Sequence, residues 1–562
     1  MSGKPWLKYY PKEVQPSYEY PKQNLALFLL QTAAKYPSHK ALSFMGKEMT
    51  YRELLDSAFR FANALRRIGI RKGDRVAIML PNCPQTVIAY YGSLMTGAIV
   101  VQTNPLYVER ELEFQMRDSG AVVIVTLDLL YRRVMNVLPN TSLQVVIVTS
   151  IKDYLPFPRN VLYPLAAKKD GQKRDVTYGS GVFAWKTLLA ESNAAPLVEE
   201  VDAERELALL QYTGGTTGVP KGVMLSHYNL AANTLQAKAW CYRCKPGEER
   251  YLAALPFFHV FGMTALMNQS IVMGGTLYLV PRFNPSEVLR LIAQAKPTAF
   301  PGAPTMYIAL LNHPRVAEYD LGSINMCISG AAPLPAEVQE QFERLTQGRL
   351  IEGYGLTEAS PVTHANNIWE LRKKGSIGIP FPDTIARVVN PETGEELPPG
   401  EIGELTIEGP QVMLGYWNRP EETANTLKNG VLYTGDMAKM DEDGFFYIID
   451  RKKDMIIASG FNIYPREIEE VLYAHPAVQD AAVAGIPDPY RGETVKAYIV
   501  LKAGASLTEQ ELDRYCREHL AAYKVPRVFE FRQELPKSMV GKILRRKLIE
   551  EELDNRKNKG SQ

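Results

Sequence analysis

The chain is expected to be an α/β protein: a large N-terminal domain of layered mixed sheets and helices, followed by a small α+β domain. Two patterns carry that expectation. In the first half, amphipathic helical stretches alternate with short β-branched runs. Far downstream, a run of five charges separates a β-rich stretch from a compact segment where the helix–strand pattern restarts. The helical stretch from Thr50 to Leu65 begins with Thr50 and Glu53 in capping-box spacing. Runs at 75–80, 99–101, 121–126 and 144–149 are short and apolar, as strands covered on both faces are. Such alternation predicts largely parallel sheets.

The second boundary falls at Asp450-Arg-Lys-Lys-Asp454, after a β-rich run ending at Ile449. Beyond it the pattern predicts a helix near 465–472, strands near 481–484 and 495–501, and a helix near 508–519. Five consecutive charges between such units suit an exposed linker. The expected division is therefore 1–449, a linker at 450–454, and 455–562.

Bulk properties narrow the function. The 562 residues are 46% hydrophobic, enough for more than one core, and the net charge is +2 with both signs mixed. No basic stripe with interleaved aromatics argues for nucleic acid. No apolar run reaches the ~18 residues of a membrane span. Residues 1–10 lack the apolar core of a signal peptide, and five scattered cysteines suit a reducing compartment, so a cytoplasmic protein is expected. Cys241 and Cys244 form a lone CxxC with no second pair, a weak metal or redox signal.

Residues 154–174 interrupt the alternation with prolines, aromatics and then Lys168, Lys169, Lys173 and Arg174. Two readings stand: a surface excursion suited to an anionic lipid interface, or a packed proline-rich loop with a solvated basic tail.

The densest chemistry lies between Tyr212 and Val223. An apolar run at 207–210 leads into Thr213, Gly214, Gly215, Thr216, Thr217 and Gly218, then Lys221, and an apolar run leads out. Backbone donors, hydroxyls and one cation on a glycine-rich loop between strands make a phosphate wrapper. Lys221 follows Pro220 and precedes Gly222, so this is not the P-loop, which needs Gly-Lys-Ser/Thr at a helix start. Gly353, Tyr354, Gly355, Thr357 and Glu358 join flexible backbone, a flat ring, a hydroxyl and a carboxylate. The ring suits a base, and the carboxylate suits Mg²⁺. A second small-residue turn includes Ala331 and Ala332; Asp436 offers a carboxylate for paired hydroxyls; and Lys542 follows a glycine before a helical stretch. Each segment taken alone also reads as ordinary surface structure.

Taken together, their identities, order and separations resemble the adenylate-forming superfamily of acyl- and aryl-CoA synthetases, luciferases and peptide-synthetase adenylation domains. The resemblance spans nearly the whole chain and includes 256–262, 450–454 and 459–465. Within the superfamily the chain looks most like bacterial long-chain fatty-acid–CoA ligases, through 429–453, the Trp6-Leu-Lys-Tyr-Tyr-Pro11 start and Leu155-Pro-Phe-Pro158. The usual loop carries Ser where this chain has Gly214.

The resemblance implies two half-reactions. ATP and a fatty acid give acyl-adenylate and pyrophosphate; coenzyme A then takes the acyl group and AMP leaves. By motif position, 213–221 embraces the phosphates, Thr217 and Glu358 hold Mg²⁺, Ala331, Ala332 and Tyr354 frame adenine, and Asp436 and Arg451 take the ribose. Lys542 bridges carboxylate and α-phosphate. His259, Phe261, Gly302 and Ala303 line the acyl site. The C-terminal domain turns on a hinge at Lys453 and presents Ser459 and Gly460 for the coenzyme A step. Relatives are often dimers. A fatty acyl-AMP ligase loading a carrier protein and a medium-chain or aryl acid–CoA ligase remain as alternatives. A serine hydrolase would need Gly-x-Ser-x-Gly, which is missing. Gly179-Ser-Gly-Val-Phe-Ala184 lacks the strand that a dinucleotide fingerprint needs. A lipid carrier would leave Lys542, Glu358 and the loop without a purpose.

Overall fold

The structure is a computed structural model describing residues 4–168, 175–213, 220–458, 461–488, 492–538 and 542–560. Its largest sheet has eight strands, in the spatial order Gly415–Tyr416, Lys221–Ser226, Leu207–Thr213, Ile99–Gln102, Arg75–Met79, Val123–Leu127, Val145–Thr149 and Val182–Ala184. From Leu207–Thr213 onward the pairings are parallel; the two at the other end are antiparallel. The parallel expectation thus holds for this sheet's interior. At the other end, the hairpin Leu207–Thr213/Lys221–Ser226 is flanked by the short edge strand Gly415–Tyr416.

The helices that cover this sheet follow from their sequences. Tyr51–Arg67 starts with the expected capping box: Glu53 N–H donates to Thr50 Oγ1, and Thr50 N–H donates to the Glu53 carboxylate. Such a cap contributes about 1 kcal/mol. Pro84–Met95 is buried on every face, as an all-round apolar helix must be. The two helices pack so closely that a Cβ on Gly92 would lie 2.8 Å from the Ala58 carbonyl oxygen. Only glycine fits there.

Three further sheets complete the large domain. Arg250–Ala253, Thr276–Leu279, Lys40–Phe44 and Lys47–Thr50 form one. Met326–Ser329, Arg349–Gly355, Val362–Ala365 and Ile379–Pro380 form the second, and Ala299 bridges the two. The third is antiparallel and includes Gly403–Glu408, Val431–Met440 and Phe446–Arg451.

Apolar cores split where the charge run stands. Two clusters draw all their members from residues up to Ile448, and two draw theirs from Ile456 onward. The C-terminal unit has the expected helices, Pro465–Ala474 and Glu509–His519, and the long hairpin Val478–Asp488/Gly492–Leu501. The exposed-linker expectation needs correction. Asp450 and Arg451 end the strand Phe446–Arg451, where they pair with Met437 and Asp436, and Asp450 is only 4% exposed. Lys452 and Lys453 are exposed. The strand buries Asp450 and half-buries Arg451, and each finds a charged partner, Arg545 and Asp436 respectively.

Residues 151–168 depart from the packed-loop reading, while Lys169, Lys173 and Arg174 lie outside the described residues. A short 3₁₀ turn, Ile151–Tyr154, is followed by a helix, Arg159–Lys168. Phe157, Val161 and Leu162 point outward, with Phe157 82% exposed.

Candidate active site

The site is assembled at the ends of three sheets. The hairpin Leu207–Thr213/Lys221–Ser226 pairs Thr213 with Lys221, the two described residues nearest its closed end apart from Pro220. Gly214, Gly215, Thr216, Thr217 and Gly218 lie outside the described residues. Lys221 Nζ stands 5.2 Å from the centre of the Tyr416 ring, a cation–π distance. The Tyr416 hydroxyl donates to Glu358 Oε1 at 2.8 Å. Tyr416 therefore links Lys221 to the carboxylate of Glu358. Sequence reading missed it, since an aromatic beside Trp417 carries no signal of its partners. Asp118 was missed too: it accepts from the Tyr212 hydroxyl and from Arg419, each at 2.7 Å, and so braces the hairpin from behind.

Residues 353–358 are not a simple turn. The strand Arg349–Gly355 carries Gly353 and Tyr354, and a 3₁₀ turn, Thr357–Ala359, holds Thr357 and Glu358. Gly355 is forced by close approach, since a Cβ there would lie 2.1 Å from the Pro361 carbonyl oxygen. Parallel pairing of Ser329 with Glu352 sets the 329–334 turn beside Gly353 and Tyr354. In that turn Ala331 has φ +69° and is exposed, so backbone rather than bulk borders the space above it. Ser329 Oγ is buried with no hydrogen-bond partner among the described residues.

Asp436 lies within the strand Val431–Met440 rather than at a turn, and Gly435 before it has φ +70°. Its Oδ2 accepts from the Tyr354 hydroxyl at 2.5 Å, and its Oδ1 pairs with Arg451 Nε at 3.0 Å. Burial and the adjacent Asp436 charge push the Tyr354 phenol well above its ordinary range, so it keeps its proton and donates. The two carboxylate oxygens retain spare acceptor capacity for a ligand's hydroxyls. Tyr354, Asp436 and Arg451 thus form one contact chain.

Lys542 comes to this corner from the other domain. Its backbone N–H donates to Ser538 Oγ at 3.1 Å, and its carbonyl accepts from Ser538 N–H at 2.8 Å, closing a turn before the helix Arg545–Gly560. The residue is solvent-exposed, yet dense surrounding protein lowers its pKa to about 8; the Arg451 and Lys453 charges add to that, against Asp436 and Asp454. The Lys542 charge also reaches His259, whose pKa falls to about 4, chiefly through burial. His259 is neutral at working pH, and its Nδ1 accepts from Phe261 N–H at 3.3 Å.

The residues expected at the acyl site sit more tightly than a simple tunnel lining. Phe261 packs under the 329–334 turn, with ring atoms 3.0 Å from where a Gly330 Cβ would be. A Cβ on Gly302 would meet Tyr307 at 3.0 Å, and Ala303 is fully buried. Their small size admits Tyr307 rather than opening a channel at that point.

Lys453 follows a well-anchored residue. Lys452 N–H donates to the Gly435 carbonyl at 2.9 Å, and Lys452 Nζ pairs with Glu404 at 3.0 Å, which ties it to the large domain. Ser459 and Gly460 lie outside the described residues. No group of three or more His, Cys, Asp or Glu among the described residues forms a metal cluster. Glu358 does fit Mg²⁺, which commonly takes one or two protein carboxylates and completes its shell with phosphate oxygens and water.

Residues 29–417 match the model of the AMP-binding enzyme family, and 467–542 match that of the AMP-binding enzyme C-terminal domain. A long-chain-fatty-acid–CoA ligase of Bacillus subtilis (strain 168) is 54% identical over 99% of both chains. One from Yersinia pestis is 42% identical over 98% of both. Among solved structures, ATP-bound MatB from Rhodopseudomonas palustris superposes with a TM-score of 0.83 at 31% identity, covering 94% of this chain and 98% of its own. With both family models matched in order and a full-length relative 54% identical, this chain belongs to the AMP-binding enzyme family.

Proposed function

We propose that the chain is a long-chain fatty-acid–CoA ligase working in two half-reactions. In the first, a carboxylate oxygen of the fatty acid attacks the α-phosphorus of ATP, the α–β phosphoanhydride bond breaks, and pyrophosphate leaves. In the second, the thiol of coenzyme A loses its proton and attacks the acyl carbonyl. The carbonyl–oxygen bond to phosphate breaks, and AMP leaves. The observation that carries this reading is the placement of Lys542, whose charge reaches Arg451, Asp436 and His259 together. A cation there faces both the sugar–phosphate end of a nucleotide and the wall at 259–261, where an acyl carboxylate would lie. The name shared by the two curated relatives supports the long-chain substrate.

In this reading Asp436 and Arg451 hold the ribose, with Tyr354 keeping Asp436 in place. Ala331 and Ala332 border adenine, and the 213–221 loop with Lys221 takes the phosphates. Glu358, oriented by Tyr416, holds Mg²⁺, which when bound would offset the negative charge that crowds the phosphates. The C-terminal domain turns about Lys453 between the half-reactions, an expectation supported by the anchoring of Lys452 just before it. Pyrophosphate release across saturated fatty acids from short to long, with aromatic acids as controls, tests the reading. A maximum at aromatic or short acids would overturn the long-chain assignment. Acyl-adenylate that passes to a carrier protein but never to coenzyme A would favour the carrier-loading alternative.

The outward face at Phe157, Val161 and Leu162, with Lys152 and Arg159 nearby, suits peripheral contact with an anionic lipid surface. No helix among the described residues is long and apolar enough to cross a membrane. Phe157→Asp is expected to reduce cosedimentation with anionic vesicles while leaving activity on dispersed fatty acid unchanged. Undiminished vesicle binding would remove this face from consideration.

A further inference from the structure

Asp450 occupies a position that the ligase reading leaves without a task. It sits in the last strand of the large domain, before the hinge, and its carboxylate is buried. Three donors meet it. Oδ1 accepts from Arg451 N–H at 2.7 Å and from Arg545 Nη1 at 3.2 Å; Oδ2 accepts from Arg466 N–H at 2.7 Å. Arg451 belongs to the same strand, but Arg466 and Arg545 belong to the C-terminal unit. A second contact runs alongside, from Arg466 Nη1 to the Ile448 carbonyl at 2.9 Å.

The C-terminal ends of these contacts are rigidly mounted. Arg466 lies in the first turn of the helix Pro465–Ala474, and its Nε bonds to Glu470. Arg545 begins the last helix; its Nη2 bonds to Glu469 at 2.6 Å and its Nη1 to Asp454 at 3.2 Å. Glu469 in turn accepts from Val483 N–H at 2.8 Å, which ties the arginine to the small domain's hairpin. Arg545 is also three residues beyond Lys542, on the same turn-and-helix segment. Lys452, by contrast, is tied to the large domain through Gly435 and Glu404.

We propose that Asp450 is the positioning residue that latches the C-terminal domain in the orientation delivering Lys542. It does so by gripping Arg545 and the Arg466 backbone across the hinge. Rotation about Lys453 moves both arginines with the small domain while Asp450 stays with its strand, so these contacts must break whenever the domain turns. A charge-assisted contact strengthens the first orientation and contributes nothing to the second. The inference rests on the two-step reading above.

The experiment compares Asp450→Asn, Asp450→Glu and wild type in two separated assays: fatty-acid-dependent ATP–pyrophosphate exchange, and thioester formation from supplied acyl-adenylate and coenzyme A. Loss of a hydrogen bond to a charged group predicts exchange slowed about tenfold to a hundredfold in Asp450→Asn. Thioester formation should stay within about twofold of wild type, since no latch contact is expected to persist in that orientation. Asp450→Glu, which restores the charge, should recover part of the exchange rate. Equal losses in both assays, or no loss in either, would overturn the latch. Tryptic cleavage at exposed Lys452 and Lys453 separates this question from the ligase reading, because it needs no turnover. Faster cleavage in Asp450→Asn than in wild type is expected, and identical cleavage would overturn the latch even if no fatty acid proved to be a substrate. Wild type without exchange activity on any acid, but with faster cleavage of the variant, would sink the ligase reading and keep the latch.

Discussion

The Tyr354–Asp436–Arg451 corner and the Lys542 turn face the same ligand space but are built in opposite ways. The corner is cross-braced: Asp436 pairs with Arg451 in strand register, and both its carboxylate oxygens have protein partners. Lys542 is held through its backbone in a turn, and the charges around its ammonium pull in opposing directions. A preformed binding group gains affinity because it is already ordered. A group needed in only one of two steps benefits from riding on an element that can leave. Under the proposed ligase reading, the difference separates groups expected to bind in both steps from one expected to act in a single step.

The comparison breaks most readily at Lys542. Lys542→Ala is expected to slow pyrophosphate release by ~10²–10³, the cost of one transition-state charge partner, while thioester formation from supplied acyl-adenylate stays nearly intact. Equal loss in both half-reactions would show that the lysine is not confined to one step. Asp436→Asn should behave differently, raising the KM for ATP by about tenfold to a hundredfold and also weakening retention of the adenylate. A split between half-reactions as sharp as that of Lys542→Ala would contradict the contrast. The smallest effect concerns pH. The Lys542 pKa is lowered to about 8, so its positive charge is lost as pH rises through that value. kcat/KM for adenylation should therefore fall on the alkaline side with a midpoint near pH 8, about tenfold per pH unit once well past it. Thioester formation should lack that limb. The same limb in both half-reactions would point to another group.

Much of this organisation was legible in the chain. Thr50 and Glu53 announced a helix start because a capping box is local. The parallel strands were visible because burial on both faces demands unbroken apolar runs. Several site candidates stood out in the chain because a glycine lies beside them, as Gly353 and Gly355 flank Tyr354 and Gly435 precedes Asp436. The charge run was misread at its first two residues. Charge alone indicates exposure, but Asp450 and Arg451 are held inside by partners at Arg466, Arg545 and Asp436. Gly302 was expected to line the acyl site, but the space beside it is taken by Tyr307. Tyr416 and Asp118 gave no sign at all.

Sequence alone thus settled local matters: where helices begin, which runs are strands, and which segments carry phosphate-, ribose- and metal-compatible groups. These depend on neighbours a few residues apart, and spacing records them directly. Tertiary structure alone decided the partnerships. Tyr354 meets Asp436, Glu358 meets Tyr416, and Lys542 comes close to Asp436 and Arg451 from the C-terminal unit. Those contacts join residues far apart in the chain, and which of many similar charges and rings meet depends on sheet register and domain orientation, which no short stretch of residues encodes.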